Sequence, residues 1–307
     1  MELRPLGRIA ETDILRVMVT RFAPSPTGLL HLGHAYSARM GFDAARAAGG
    51  QFLLRIEDID QSRCRAPFAE AILTDLRFLG LTWDGPVRKQ SEHMAFYSQA
   101  LEELMKLGVL YPCFCTRAEI TAEIASAQSA PQDHPSELPP RYPGRCRSLD
   151  PSTVEKRMAE GHSYALRLHT ERTRDLLFAR KLWPLSFRDR RHGTVTVDPA
   201  LLGDVVLARK EFRTSYHLAV VLDDNLQGVT LVTRGEDLLI STHVHRQLQA
   251  LLGLAEPEYA HHRLLTDADG GRLAKRRGSE SIRSLREKGL CADELWARLG
   301  LSSPTII

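Results

Sequence analysis

Two histidines, His31 and His34, flank Gly33 within the segment 21–34, directly after a stretch rich in proline and other turn-forming residues. The residues that follow, 35–48, have a helical pattern, so both histidines are predicted to lie at the start of a helix. The first turn of a helix has backbone N–H groups without helical partners and carries the positive end of the helix dipole. The spacing therefore predicts an anion site of a kind that suits a triphosphate.

A basic segment later in the sequence, residues 270–279, contains Arg272 and Lys275 after two glycines. Positive side chains on a glycine-rich loop can close on phosphates and stabilise the charge that develops during phosphoryl transfer. A basic loop alone indicates no more than a solvated surface. Together with the histidine segment, it predicts a site for phosphoryl chemistry.

Three cysteines, Cys113, Cys115 and Cys146, have a spacing that is compatible with a metal site. Three thiolates favour zinc, which normally takes four ligands in a tetrahedron. The fourth ligand is either His134 or Tyr142, and the chemistry of common zinc ligands favours the histidine. Four protein ligands leave no open position, so the site would be structural. The alternative is three free thiols in a reducing compartment.

The composition is that of an ordinary folded protein. The chain has 307 residues, of which 43% are hydrophobic and 26% charged, with a net charge of +3. This length allows one large domain or two modest ones, and the small net charge does not by itself indicate nucleic-acid binding. No apolar run approaches the roughly 20 residues that span a bilayer, and the N-terminus has no apolar signal core. A cytoplasmic location is therefore predicted.

Strand and helix patterns alternate in the first third of the chain. This alternation predicts a parallel sheet with helices on its faces, an α/β arrangement of the doubly wound, nucleotide-binding type, although no G-x-G-x-x-G sequence is present. The predicted elements are a strand ending at 21–23, a helix at 35–48, a strand at 51–57, a helix at 67–79 and a helix from the N-cap Ser91 to Gly108.

The pattern breaks at residues 111–150, which contain three cysteines and a stretch rich in Pro, Ser and Gln at 126–140. We interpret this region as an inserted subdomain with a mobile loop. Further predicted elements are two strands at 217–222 and 228–232 around an Asp-Asp-Asn turn, a helix at 243–252 capped by Thr242, and a short helical tail at 284–299.

Several segments in consistent order resemble the class I aminoacyl-tRNA synthetases, and in particular their glutamyl/glutaminyl branch. This resemblance implies a Rossmann-type catalytic domain that uses ATP with Mg²⁺. It also implies attack of an amino-acid carboxylate on the α-phosphate, which gives an aminoacyl-adenylate and pyrophosphate, and then aminoacyl transfer to RNA. The segments are R-F-A-P-S-P-T-G-L-L-H-L-G-H at 21–34, R-I-E-D-I-D at 55–60, L-G-L-T-W-D at 79–84, Y-H-L-A-V-V-L-D-D at 216–224, R-G-E-D-L at 234–238 and the basic loop.

The resemblance assigns residues to each step. Glutamate has two carboxylates and one ammonium, so its site should offer guanidinium groups and a carboxylate. Two arginines also disfavour neutral glutamine, because each would lose a charged partner. The implied residues are His31, His34 and Lys275 for catalysis; Pro24, Gly33, Arg272 and Lys275 for ATP; Arg21, Tyr216 and Arg234 for the carboxylates of glutamate; Glu57 for its amino group; and Phe22, Ala23, Pro24 and Ser25 for the wall of the same pocket.

Two features qualify or extend the resemblance. The basic loop of the family usually reads K-x-S-K, whereas here Arg272 replaces the first lysine and Ala274 the serine. The charge is kept but not the geometry of a compact ammonium, so a slower or degenerate enzyme is the alternative. The shortened members carry C-x-C…Y-x-x-x-C, which favours Tyr142 over His134 as the fourth ligand of one structural zinc.

The chain resembles most the glutamyl-Q tRNA(Asp) synthetases, shortened relatives without the helical anticodon-binding domain, because little sequence follows residue 280. This implies activation of glutamate without tRNA and transfer to the queuosine base of the tRNA(Asp) anticodon stem-loop, by a monomer. The alternatives are a truncated glutamyl-tRNA synthetase that charges a tRNA 3′ end and a degenerate RNA-binding paralogue. Residues 1–17 have no counterpart, so translation starts at Met18 or these residues form a loose extension.

The resemblance also divides the chain into five parts. They are an N-terminal extension (1–20), the first half of the catalytic domain (21–110), an inserted zinc-binding, acceptor-type subdomain (111–195), the second half of the catalytic domain (196–265), and the basic ATP loop with a helical tail (266–307).

Overall fold

The computed structural model of the chain describes residues 17–121, 141–210, 214–265 and 280–304. Arg272, Lys275 and His134 lie outside the described residues, as does nearly all of the N-terminal extension. Within the described ranges, no helix combines the length and apolar character needed to cross a bilayer.

Ten strands and nine named helices form the described part of the chain. The strands are β1 (Val19–Phe22), β2 (Gln51–Ile56), β3 (Arg88–Lys89), β4 (Leu110–Cys113), β5 (Ala165–Leu168), β6 (Ser186–Asp189), β7 (Gly193–Thr196), β8 (Val206–Ala208), β9 (Leu231–Gly235) and β10 (Glu258–His262). The helices are α1 (Leu32–Ala47), α2 (Ala66–Phe78), α3 (Met94–Lys106), α4 (Pro151–Ala159), α5 (Thr170–Ala179), α6 (Tyr216–Leu226), α7 (Leu239–Leu252), α8 (Ile282–Glu287) and α9 (Ala292–Arg298). A further helical segment is described at 117–121.

Two adjacent, largely parallel sheets form the centre of the molecule. Strands β1, β2 and β3 pair in parallel, and β9, β10 and β6 do so as well, with β7 antiparallel at the edge. The two sets meet where the backbone N–H of Thr230 donates to the carbonyl of Val19 (2.9 Å). The sheets β3-β2-β1 and β9-β10-β6-β7 therefore lie edge to edge, with β1 beside β9 at the centre. This arrangement confirms the predicted α/β fold.

Helix α1 packs closely on these sheets because its inner face has small residues. Ala35, Ala38 and Ala45 are buried at helical spacing. A Cβ on Gly41 would lie 2.8 Å from the Thr233 hydroxyl oxygen, so only glycine allows this approach. Close packing fixes the N-terminus of α1, with its histidines, beside the carboxyl ends of β1 and β9.

The C-terminal segment packs on the first of these sheets. Trp296 is buried, and its indole N–H donates to the carbonyl of Leu79 (3.1 Å). Ile282 donates its backbone N–H to Leu30 (2.8 Å), and Ser281 forms a β-bridge with His31. The predicted tail at 284–299 is therefore two helices, α8 and α9, joined to the region around the histidines.

The predicted strand–turn–strand at 217–232 is wrong in its first half, because residues 216–226 form helix α6. Every residue from Leu218 to Asp224 is buried, so this stretch has no polar face that would reveal a helical period. A short run of buried apolar and β-branched residues looks like a strand. The two aspartates taken for a turn, Asp223 and Asp224, are buried partners of arginines instead.

Two predicted helix caps are also wrong. Ser91 lies in a 3₁₀ turn at Gln90–His93, and its hydroxyl donates to Asp58 (2.7 Å), while α3 begins at Met94. Thr242 lies inside α7, which begins three residues earlier, and its hydroxyl contacts Arg234. In both cases a tertiary partner binds the hydroxyl that the sequence pattern assigned to a cap.

Candidate active site

A cleft of about 670 Å³ opens where β1 and β9 adjoin, at the carboxyl ends of the parallel strands. Ligands of open α/β sheets bind at such a switch point, because the loops of neighbouring strands diverge there. The lining contains every described residue that the sequence assigned to the histidine pair, ATP or glutamate: Arg21, Phe22, Ala23, Pro24, Ser25, His31, Gly33, His34, Glu57, Tyr216 and Arg234. The roles of these residues stay predictions.

The two histidines form reciprocal caps at the start of α1. Nδ1 of His31 accepts the backbone N–H of Gly33 (3.1 Å), and Nδ1 of His34 accepts the backbone N–H of His31 (3.2 Å). Because Nδ1 is the acceptor in both rings, each neutral imidazole carries its proton on Nε2. The caps thus present ring N–H donors at the positive end of a 16-residue helix, which is favourable for an anion.

Arg21 is held by a carboxylate at the back of the cleft. Its Nε and Nη2 donate to Asp224 at 3.0 and 3.2 Å, and its Nη1 donates to the carbonyl of Thr233 (3.2 Å). Although burial would raise it, the pKa of Asp224 is lowered by Arg21 and Arg55. Arg21 is therefore a cation whose charge is already compensated inside the protein.

Glu57 follows β2 and is held by Arg55, whose Nη2 lies 3.2 Å from Oε1 of Glu57. Arg55 is fully buried and also contacts Asp224 at 2.8 Å. Burial raises the pKa of Glu57, although the charges of Arg55 and Arg21 oppose this shift. A bound ammonium would lower this pKa again, so Glu57 is suited to receive one.

Arg234 differs from Arg21 because all its partners are neutral. It donates from Nε to His261 (3.1 Å), from Nη1 to His245 (3.2 Å) and from Nη2 to Thr242 (2.5 Å), with a longer contact to the Tyr216 hydroxyl (3.4 Å). Over the part of the chain that the structure describes, no carboxylate forms an ion pair with it. A buried guanidinium with neutral partners attracts an anionic ligand strongly.

The sequence interpretation missed the residues behind the cleft. Arg55, Asp223 and Asp224 stood in quoted motifs but received no role, and the partners of Arg234 had no signal beyond being polar. A buried cluster around Asp223 joins Arg88 (2.8 Å), Gln90 (2.8 Å) and Tyr97 (2.9 Å). This cluster fixes α6, which begins with Tyr216, beneath the cleft.

A smaller cleft of about 90 Å³ adjoins the first and shares Ser25, Thr27, Glu57 and Tyr216 with it. Its wall includes Thr214 and Ser215, whose hydroxyl oxygens are buried and have no hydrogen-bond partner among the described residues. Buried hydroxyls without partners are costly, so this chamber suits a polar group. The other lining residues are Ile59, Asp60, Arg63, Cys64, Gln90 and Arg209.

The three cysteines converge beside the antiparallel sheet β4-β5-β8. The sulfur atoms of Cys113, Cys115 and Cys146 lie within 4.8 Å of one another, a separation that one metal ion can bridge. The Tyr142 hydroxyl lies 3.4 Å from the Cys115 sulfur and accepts the backbone N–H of Cys146 (2.9 Å). The guanidinium of Arg167 stacks 3.9 Å above the Tyr142 ring and so fixes the orientation of this side chain. This donor set fits a tetrahedral zinc site.

Known proteins match nearly the whole chain. Residues 17–303 match the family model described as the catalytic domain of class I tRNA synthetases (E and Q). A protein of Rhodobacter capsulatus named glutamyl-Q tRNA(Asp) synthetase is 46% identical over 290 residues, which are 92% of this chain and 100% of that protein. The glutamate–tRNA ligase of Aquifex aeolicus is 37% identical over 93% of this chain and 58% of the ligase.

Two solved structures have a similar fold. The glutamate–tRNA synthetase of Elizabethkingia anophelis has a TM-score of 0.73 at 29% identity, over 90% of this chain and 59% of that one. The glutamate tRNA ligase of Elizabethkingia meningosepticum, in complex with its amino acid, has a TM-score of 0.69 at 29% identity, over 89% and 53%. The chain therefore spans little more than half the length of these solved structures.

Proposed function

Because the chain belongs to the family of class I tRNA synthetases for glutamate and glutamine, by its catalytic domain, we propose that it activates L-glutamate with ATP and without tRNA. It then transfers the glutamyl group to the queuosine base in the anticodon of tRNA(Asp). Relatives with this printed name are 40% to 46% identical to the chain. They support the choice of acceptor over the 3′ end of a tRNA.

The neutral environment of Arg234 carries the assignment of glutamate. This buried cation has no carboxylate partner among the described residues, whereas Glu57 and the Tyr216 hydroxyl lie in the same cleft. An acidic amino acid brings the missing anion to Arg234 and an ammonium to Glu57. Neutral glutamine would leave the guanidinium without a charged partner, and such mismatches cost about 1.5–3 kcal/mol per charged hydrogen bond.

We propose that ATP binds at the start of α1. His31 and His34 donate ring N–H groups to phosphate oxygens, and the helix dipole adds a favourable potential. A carboxylate oxygen of glutamate attacks the α-phosphorus while the bond to the β-phosphate oxygen breaks, so pyrophosphate leaves and glutamyl-adenylate remains. Arg272 and Lys275, which the resemblance assigns to the phosphates, balance the negative charge, and Mg²⁺ accompanies the ATP.

The smaller cleft is proposed to receive the hydroxyl of the acceptor. A hydroxyl of the RNA attacks the carbonyl carbon of the adenylate, an ester forms, and AMP leaves. The hydroxyls of Thr214 and Ser215, for which the described part of the chain offers no partner, can form hydrogen bonds with this nucleophile. We expect T214V to leave glutamate-dependent pyrophosphate exchange unchanged and to slow the transfer step about 10-fold. A variant that slows both steps equally would contradict this placement.

One zinc ion is proposed at Cys113, Cys115, Cys146 and Tyr142. Its part is structural, since the four side chains fill the coordination sphere. The ion would tie the segment after β4 to the segment before α4, beside the sheet β4-β5-β8. Bound metal would also explain why three thiols lie so close together in a protein with no disulfide among its described cysteines.

Two measurements test the function. Pyrophosphate exchange is expected to require glutamate but no RNA, and labelled glutamate is expected on tRNA(Asp) that carries queuosine but not on tRNA(Asp) that lacks it. Removing the terminal adenosine from the tRNA separates the two acceptor sites, because the queuosine base remains. Exchange that requires tRNA(Glu), with charging lost on removal of the adenosine, would establish the truncated-synthetase alternative instead.

A further inference from the structure

A neutral histidine separates the buried cation Arg234 from the carboxylate that balances its charge. Asp189, at the end of β6, lies 2.6 Å from Nδ1 of His261, and Nε2 of His261 accepts the Nε–H of Arg234 (3.1 Å). Asp189 and His261 are almost completely buried. The three side chains thus form a chain of hydrogen bonds across β6, β10 and β9, which are neighbours in the sheet.

The hydrogen bonds fix the protonation of this chain. Asp189 accepts the backbone N–H groups of Arg191 (2.9 Å), His192 (2.9 Å) and His261 (3.1 Å). These donors and the two histidine rings outweigh burial and lower the pKa of Asp189 to about 2. A carboxylate only accepts, and Arg234 only donates, so His261 must donate from Nδ1 and accept at Nε2.

A second imidazole holds Arg234 in the same way from the other side. Nδ1 of His245 accepts from Nη1 of Arg234 (3.2 Å), and Nε2 of His245 lies 3.2 Å from Nδ1 of His217. His245 must therefore be neutral with its proton on Nε2. Both imidazoles present lone pairs to the guanidinium, and neither adds a charge that would compete with an anionic ligand.

We propose that Asp189 and His261 are positioning residues that orient Arg234 and keep its charge available for the substrate. This inference rests on the proposed recognition of glutamate in the cleft. A carboxylate in direct contact would occupy the guanidinium at two points, as Asp224 occupies Arg21. With the imidazole between them, Asp189 stabilises the buried cation at a distance, and the Nη groups of Arg234 have only neutral partners among the described residues.

The substitution D189N tests the orientation of His261. Backbone N–H groups of Arg191 and His192 point at one oxygen of residue 189, so an asparagine would turn its carbonyl there and its NH₂ toward His261. That NH₂ would donate to Nδ1, the imidazole proton would move to Nε2, and two donors would face each other at Arg234. We expect KM for glutamate in pyrophosphate exchange to rise about 10- to 100-fold, with a smaller change in kcat.

Two further variants separate positioning from a structural effect. H261Q keeps a neutral acceptor for Arg234 and should retain more affinity for glutamate than H261A. H243N is the matched control, because His243 is also a buried histidine but accepts the backbone N–H of Asp198 (2.9 Å), away from Arg234. It should lower thermal stability without changing the preference for glutamate over glutamine, which D189N and H261A should reduce.

A readout independent of activity keeps the two proposals distinguishable. The ¹⁵N shifts of the His261 ring should show the proton on Nδ1 in the unmodified protein and on Nε2 in D189N. If exchange fails with glutamate in the unmodified protein, the proposed function is wrong. The ¹⁵N shifts of the His261 ring still test the hydrogen-bond chain in that case. A proton on Nε2 in the unmodified protein, or an unchanged KM in D189N and H261A, would overturn the positioning role.

Discussion

Arg21 and Asp224 form a two-point ion pair under the cleft, with N–O distances of 3.0 and 3.2 Å and both side chains largely buried. Asp224 also pairs with the buried Arg55 at 2.8 Å. One carboxylate thus serves two guanidinium groups from β1 and β2. This relationship makes Asp224 a structural element of the site, and it distinguishes Arg21 from Arg234.

We expect D224N to destabilise the protein by about 3–5 kcal/mol, because two buried cations lose their shared anion. The free energy of unfolding, measured with urea, checks this. D43N is the matched control, since Asp43 pairs with Arg39 at a partly exposed position and its loss should cost about 1 kcal/mol or less. Equal losses of unfolding free energy in D224N and D43N would show that the buried pair stabilises the protein no more than the partly exposed pair.

The two arginines of the cleft should respond differently to replacement by lysine. R234K removes the fork that holds the proposed carboxylate, so KM for glutamate should rise about 10- to 100-fold. R21K breaks the two-point pair with Asp224 and should lower the melting temperature more than the affinity. Steady-state exchange and thermal unfolding of both variants measure this. A larger rise in KM for R21K than for R234K would contradict the assignment.

Asp75 of α2 gives a pH dependence of stability. Its carboxylate is buried and makes no hydrogen bond within the described ranges, and Nη1 of Arg286 lies 3.4 Å from its Oδ1. Burial raises the pKa of Asp75 to about 6. The folded state therefore binds a proton more tightly than the unfolded state, so this group's contribution is greatest below pH 4 and falls as the pH rises to about 6.

The substitution D75N removes this titration. We expect D75N to gain stability relative to the unmodified protein between pH 4.5 and pH 7.5, by about 1–3 kcal/mol. Urea unfolding at the two pH values measures the difference. A constant difference between the two proteins at both values would mean that Asp75 does not titrate in this range.

The cysteine cluster predicts bound metal. Purified protein should contain about one zinc per chain. C113S should reduce that content and destabilise the region around β4, whereas C291S should do neither, because Cys291 is exposed and remote from the cluster. Elemental analysis and thermal unfolding, with and without a chelator, measure this. Full zinc content in C113S would exclude the proposed ligand set.

The elements that the sequence predicted well are those with a strong local signal. Helix α1 has a pattern that ends at the glycine pair 49–50, and the apolar pattern of strand β2 begins directly after that pair. The structure has both elements within a few residues of the prediction. Helix α6 failed because burial on all sides removes the periodicity. Its two aspartates looked like turn residues, since their partners Arg21 and Arg88 lie more than a hundred positions away.

The residues of the candidate site show the same contrast between local and tertiary signals. Residues that would touch ligand, such as Glu57 and Arg234, could be found because they stand in short motifs. Asp189 and His261 could not, because their role depends on the pairing of β6 with β10, which no local pattern reveals. Thr242 shows the same limit, since a hydroxyl suited to a helix cap binds a guanidinium instead.

The attachment of the C-terminal segment has a consequence for the basic loop. Leu265 lines the cleft, and Ser281 pairs with His31, so the described residues at both ends of 266–279 are fixed close to the start of α1. Folding of the described residues already holds these two ends together, so the loop-closure entropy is lost before any ligand binds. The proposed contact of Arg272 and Lys275 with phosphate therefore requires less loop-closure entropy than it would in a segment with free ends.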